Sequence, residues 1–373
     1  MPQAFPVVAA MAFALSGCTF SSVDPDASVH ISGRALDASG KPLAGAQVLL
    51  LKEADMGEVV FGGVLVLGTL STVCLLPEAP AICDSAHSVT ADSEGRYEFE
   101  LKGSDTQGTL ATESTLNVVL SDGSSASSTA LSFTVKDTNV TLPDARMARL
   151  SPRVSVRSDQ IELTWSPLPK KAGSDATYSA RLFESDESTA LWTQPATGSR
   201  ASIDARILED LRGTIAVGGI TILTGGTGTG EVRAHYMSSR LSVRGTSQAP
   251  PSRGRPCAAV TGTATAKTGR FSSACGVTDG DLSTPARLNG RGVVAGVVVD
   301  LGVRRPVELV VPRGFAGQFL VEISDDGTTY RTVATSSGTA VALVVPGQPT
   351  ARYVRLRSPA GLDESLSSEL SIW

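Results

Sequence analysis

Apolar and polar residues alternate with a period of two in many short runs of this chain, and turn residues separate the runs. In Tyr97-Glu98-Phe99-Glu100-Leu101 apolar and acidic side chains take turns, which predicts a strand with one face buried and one in water. Asp92-Ser93-Glu94-Gly95, just before it, reads as a hairpin turn. Further upstream, two apolar runs within 29–53 flank Gly33 and the turn Ser39-Gly40-Lys41-Pro42. Weaker strands are expected at 115–120, 129–135 and 138–142. A second group begins with a run that ends on Trp165, followed by one that puts Tyr178, Ala180 and Leu182 on one face. A third group is read at 296–302, 307–311, 318–327, 341–345, 351–357 and 369–373, and apolar and basic residues alternate from Val354 to Arg357.

Runs rich in helix formers are scarce, whereas Gly (37 residues) and Pro (20) are plentiful, so short strands joined by turns are the expected organisation. The fold class is all-β, with three β-sandwich domains in tandem at 29–147, 151–246 and 257–373. Residues 19–28 are small, polar and Pro-containing and read as a tether. Residues 247–256, rich in Pro and Ser, read as a linker. Gly225 to Gly230 alternates Gly with Thr and precedes a strand-like run. That context favours a hairpin tip over a phosphate-cradling loop, which needs a helix to follow.

Two stretches break the pattern. Residues Ala4 to Leu15 are apolar and too short to span a bilayer, so 1–18 reads as an export signal. The run ends in Leu15-Ser16-Gly17-Cys18, which resembles the bacterial lipobox, although no Lys or Arg precedes Arg34. The resemblance implies cleavage before Cys18, a lipid on its thiol, and anchoring to the envelope, at the outer membrane or cell surface. The second stretch is an insertion at 56–87, in which Val59 to Leu76 carries no charge. Because it interrupts a domain whose halves must pair, it is expected to pack on the sandwich or to meet a partner rather than cross the membrane.

Three resemblances add to this reading. The pieces SGRALDASGKPLAGAQVLL and TADSEGRYEFEL resemble the carboxypeptidase regulatory-like domain, a transthyretin-like sandwich. The L-T-W strand ending at Trp165 resembles a fibronectin type III-like sandwich, in which that Trp is buried. VTDGDLST, VVVDLG, FLVEISDDGTTYRTVA, ARYVRLR and the terminal SLSSELSIW resemble, in order, the discoidin or coagulation-factor type C domain. That last resemblance implies a jelly roll whose end loops bind sugars, lipids or proteins. It also implies a structural Ca2+ held by Asp279, Asp281, Thr284 and Glu369, hard oxygen donors suited to that ion. The ligand loops depart from the family in lacking a Trp after the Thr. Candidate ligand-binding residues are Arg287, Asn289, Arg291 and Phe315, with Tyr330 as a further aromatic that is expected to pack inward.

Charge and composition narrow the function. The formal net charge is −5 and basic residues occur only in short pairs, which excludes a nucleic-acid surface. Five Cys occur, at 18, 74, 83, 257 and 275. Setting Cys18 aside leaves four, which allow three pairings, and locality favours Cys74 with Cys83 and Cys257 with Cys275. The three His lie in separate regions with no nucleophile arranged around them, so no catalytic residues are expected and the protein is read as a non-enzyme. The function expected is a surface lipoprotein that binds a carbohydrate or other envelope polymer through its last domain. The alternative is a structural or assembly lipoprotein that docks a surface protein.

Overall fold

Alternation becomes burial in the strand Arg96–Lys102, where Tyr97, Phe99 and Leu101 are buried and the residues between them are exposed. The computed structural model describes residues 20–52, 85–108, 111–121, 127–157, 159–168, 176–184, 190–196, 198–262, 267–273, 275–281, 284, 294–315, 318–336, 342–358 and 368–373. Among them the protein is all-β, with two 3-10 turns at Gly103–Thr106 and Ala205–Ile207 as its helical elements. No helix among the described residues is long and apolar enough to cross a membrane. Cys18, Cys74, Cys83 and most of the 56–87 insertion lie outside the described residues. The insertion's last positions belong to a strand, Ser85–Thr90, which pairs with Gln47–Lys52.

The first two stretches share one sheet. Its order is Ala190–Ala196, Thr177–Glu184, Arg212–Leu223, Val232–Ser238, Ser127–Thr134, Thr115–Ser121, Gln47–Lys52 and Ser85–Thr90, with Leu241–Arg244 also pairing Arg212–Leu223. The join is the antiparallel register from Arg233 opposite Ser132 to Ser238 opposite Ser127. Two smaller sheets cover the same face: Arg96–Lys102 with Ser28–Leu36 and Asn139–Thr141, and Arg200–Asp204 with Gln160–Thr164 and Arg153–Arg157. One apolar core fills the space between and runs without a break from Val29 through Trp165 to Val243. Trp165 is buried against Tyr178, ring centres 5.7 Å apart, as its strand-end position predicts. The Gly225–Gly230 segment is a hairpin tip, and it is fastened: Thr227 and Thr141 exchange backbone hydrogen bonds of 2.9 and 3.0 Å.

The third stretch is a sandwich of its own. A six-stranded sheet, Lys267–Thr268, Cys257–Thr261, Val294–Pro306, Thr350–Arg357, Leu320–Ser324 and Arg331–Thr335, packs on a three-stranded one, Leu343–Val344, Leu309–Arg313 and Glu369–Ile372. Val297, Val299, Ile323, Val354, Leu356 and Ile372 fill the space between them. The 247–256 segment is bonded into place. Ser252 is buried, donates to the Leu370 carbonyl and accepts from the Ile372 amide. Leu309, Val311, Ala342 and Trp373 of the third stretch extend the core of the first two.

Candidate functional site

The turn at 279–284 begins beside the one described disulfide, Cys257–Cys275, which closes a loop of sequence separation 18. Asp279 accepts from the Asp281 amide at 2.9 Å, and the Asp281 carbonyl accepts from the Thr284 amide at 3.0 Å. Both Asp side chains are exposed, and Thr284 is half-buried. Gly280 has φ +86°, and its amide donates to Glu369 Oε1 at 3.2 Å. Glu369 itself is 3% exposed, and its Oε2 is buried with no hydrogen-bond partner. Burial pushes its carboxyl up to about 8, with the nearby Glu209 and Asp279 carboxylates adding to the rise. The resemblance stated above implies Ca2+ here. The orphaned carboxylate oxygen beside Asp279 fits a hard cation. Among the described residues no three His, Cys, Asp or Glu gather closely enough to hold an ion alone. The remaining ligands would therefore be carbonyls and the Thr284 hydroxyl.

Behind this turn lies a buried ion cluster that residue spacing did not reveal. Glu209, beside the 3-10 turn Ala205–Ile207, is 2% exposed. It accepts from Arg313 Nη1 at 2.6 Å, and also from Arg253 Nη2 and the Ser371 hydroxyl. Arg313 is 3% exposed, also donates to the Ile207 carbonyl, and has Glu184 at 3.9 Å. Arg253 lies against the turn: a Cβ placed on Gly280 would meet its guanidinium at 2.9 Å. Nearby, Arg206 bonds both Asp204, at 2.7 Å, and Glu308, at 2.9 Å, and sits over the Trp373 ring. The second stretch, the 247–256 segment and the third stretch thus meet in one charged junction that touches the 279–284 turn.

A cleft of about 430 Å3 opens elsewhere on the third sandwich, between the hairpin at 324–331 and Pro349-Thr350-Ala351. Tyr330, Thr329 and Arg331 line it together with Asp325, Asp326 and Arg304. Arg304 pairs with Asp325 at 3.0 Å. Asp326 Oδ1 accepts the Thr328 and Thr329 amides, each at 2.8 Å, and these bonds hold its carboxyl well below the usual range. Tyr330 is half-buried under the Arg355 guanidinium, 3.8 Å above its ring, and Arg355 is fixed by Glu322 at 2.6 Å. Burial pushes the Tyr330 hydroxyl up to about 12, so it stays a neutral phenol. The sequence reading expected this ring to pack inward; it does so on the Arg355 side and also lines the cleft. Phe315 is half-buried and packs edge-on against Phe319, ring centres 5.9 Å apart. Arg287, Asn289 and Arg291 lie outside the described residues.

The His residues are scattered. His30 is near only Glu98, at 3.9 Å, and His235 is on the large sheet. No family model matches the chain, and no curated protein matches it. Some solved structures are similar over parts of it. Chitosan-binding module 1 from a chitosanase/glucanase of Paenibacillus sp. IK-5 is 20% identical over 34% of this chain and 99% of its own, with TM-score 0.23. The C-terminal domain of a chitobiase from Bacteroides fragilis is 19% identical over 31% and 89%, with TM-score 0.21. A DUF3823 family protein from Parabacteroides merdae is 11% identical over 58% and 98%, with TM-score 0.22.

Proposed function

We propose that this chain is a non-catalytic, exported lipoprotein that binds a carbohydrate or other envelope polymer through its third sandwich. The cleft beside Tyr330 carries the reading. Sites for small ligands combine apolar walls with a few placed polar groups. A sugar has just such a division, with C–H faces and a rim of hydroxyls. Here Tyr330, Pro349 and Ala351 offer the apolar side, while Arg304, Asp325, Thr329 and Arg331 offer donors and acceptors. Two Arg and two Asp line the cleft, so its formal charges cancel, which suits a neutral saccharide better than a polyanion. The same reading keeps Cys18 as the lipid attachment point and Ca2+ as a structural ion at Asp279 and Glu369, completed by Thr284, Asp281 and backbone carbonyls.

The test is calorimetric titration of the full chain with neutral envelope oligosaccharides, guided by a glycan array. Arg304→Ala and Thr329→Ala change only the cleft's surface and should each weaken binding about tenfold, the loss of one or two polar contacts. Tyr330→Phe should bind nearly as well, because the ring remains. If no neutral saccharide binds, or if the cleft variants bind as well as the parent, the reading fails.

A further inference from the structure

The large sheet has a second face, turned away from the core. Ala180, Leu182, Ile215, Val217, Ala234 and Tyr236 point inward. Strand alternation therefore puts Arg181, Thr214, Gly218 and His235 on the other face. Arg181 stands opposite Ala216, and His235 opposite Ile220. Gly218 lies between those two rows, opposite Ser179 and Met237. Gly218 has no side chain, so the sheet leaves room there for long neighbours.

Three polar groups on this face have nothing to bond. Arg181 Nε, His235 Nδ1 and Thr214 Oγ1 are all buried without a hydrogen-bond partner. Burial lowers the Arg181 pKa, and no counter-charge offsets it. Burial, then Arg233 and Arg181, hold His235 down to about 4, so its imidazole is neutral at pH 7. Arg233, the other cation of the strand, is paired with Glu231 at 2.7 Å. Arg240 lies over the Phe183 ring, 4.3 Å from its centre. A half-buried guanidinium with no carboxylate costs several kcal/mol of desolvation, and the fold does nothing to recover it.

We propose that Arg181, with His235 and Thr214, forms a binding subsite for a single carboxylate, of the kind a hexuronic acid residue of an acidic glycan carries. The charge count selects the ligand. One unpaired cation among neutral donors matches a monoanion, whereas a phosphate monoester brings nearly two charges. A terminal carboxylate also enters a half-buried face end-on and meets a guanidinium with both oxygens, whereas a phosphodiester has a substituent on each side. This subsite lies on the sheet shared by the first two stretches, and it stands or falls independently of the Tyr330 cleft.

The experiment is titration of the full chain with oligogalacturonate and glucuronate at low and high salt, alongside inorganic phosphate and phosphatidylglycerol vesicles. Thermal melts are run on the same samples. Uronate should bind, raise the melting midpoint and weaken as salt rises. Arg181→Gln should lose about tenfold to a hundredfold in uronate affinity, the worth of a hydrogen bond to a charged group. The same variant should melt no lower than the parent, because it removes an unpaired charge. His235→Gln should lose less. Overturning results are no uronate-dependent shift, equal binding by Arg181→Gln, or a response confined to phosphate or to vesicles. Should Arg181→Gln fail to fold, Arg181→Met supplies the same comparison, and its instability would show that Arg181 has a structural partner and refute the site.

Discussion

Glu209→Ala should be the most damaging single truncation at the junction of the second and third stretches. Glu209 is 2% exposed and Arg313 is 3% exposed, so truncation leaves a guanidinium inside the protein without its carboxylate. Breaking a buried pair in this way costs about 3–5 kcal/mol. Arg313 keeps its bond to the Ile207 carbonyl and has Glu184 at 3.9 Å, which puts the expected loss near the lower end, about 3 kcal/mol. Glu209 also holds a left-handed backbone, φ 54°, a conformation costing about 1–2 kcal/mol that the bonded side chain helps to hold. Urea unfolding followed by Trp fluorescence is the assay. Trp165 and Trp192 report from the second stretch, and Trp373 packs in the core it shares with the third. A shift in midpoint at unchanged slope reads as stability. Glu209→Ala combined with Arg313→Met should recover most of the loss, because no buried charge then remains. A single-variant loss under about 1 kcal/mol, or a double variant that costs the sum of both singles, would refute a desolvated pair.

Three further outcomes follow from the same geometry. Reducing Cys257–Cys275, or replacing both by Ala, should destabilise the third sandwich by about 3 kcal/mol, as expected for a loop of this length; melts with and without reductant measure it. Gly228→Ala should unfasten the hairpin tip, since φ is +69° and a Cβ would run into the Asn139 carbonyl, with a loss of about 1–3 kcal/mol and faster hydrogen exchange at Thr141 and Thr227. Glu369 has a folded pKa raised to about 8 from an ordinary 4.5, so in EDTA its contribution is fully present below pH 4.5 and is lost as pH rises through 8. Glu369→Gln should flatten that pH profile, and Ca2+ should raise the parent's midpoint at pH 8 but not the variant's; a parent indifferent to Ca2+ would count against the ion.

Where the sequence was legible, the information was local. The alternation in Tyr97 to Leu101 states which side chains face inward, and the apolar flank of Trp165 states that it is buried. Period-two patterning says nothing about which edge meets which. The pairing of Val232–Ser238 with Ser127–Thr134, which makes one sheet of two expected domains, rests on contacts about a hundred positions apart. Glu209 and Arg313 are separated by 104 residues, and no spacing rule connects them. Composition also misleads at 247–256. Pro and Ser read as a tether, yet Pro restricts the backbone, and the Ser252 hydroxyl fits two backbone groups of the last strand.

The junction has a functional consequence. Arg253 bonds Glu209 on one side and lies against Gly280 on the other, and Glu369 feels both Arg253 and Glu209. A cation at Asp279 and Glu369 would remove the repulsion between the Glu369 and Glu209 carboxylates, so ion binding and docking of the second stretch on the third must favour one another. Cutting the chain before the third sandwich removes Glu209 and leaves Arg313 without its carboxylate. Binding measured on that fragment alone would then describe a different electrostatic site from the one in the intact protein.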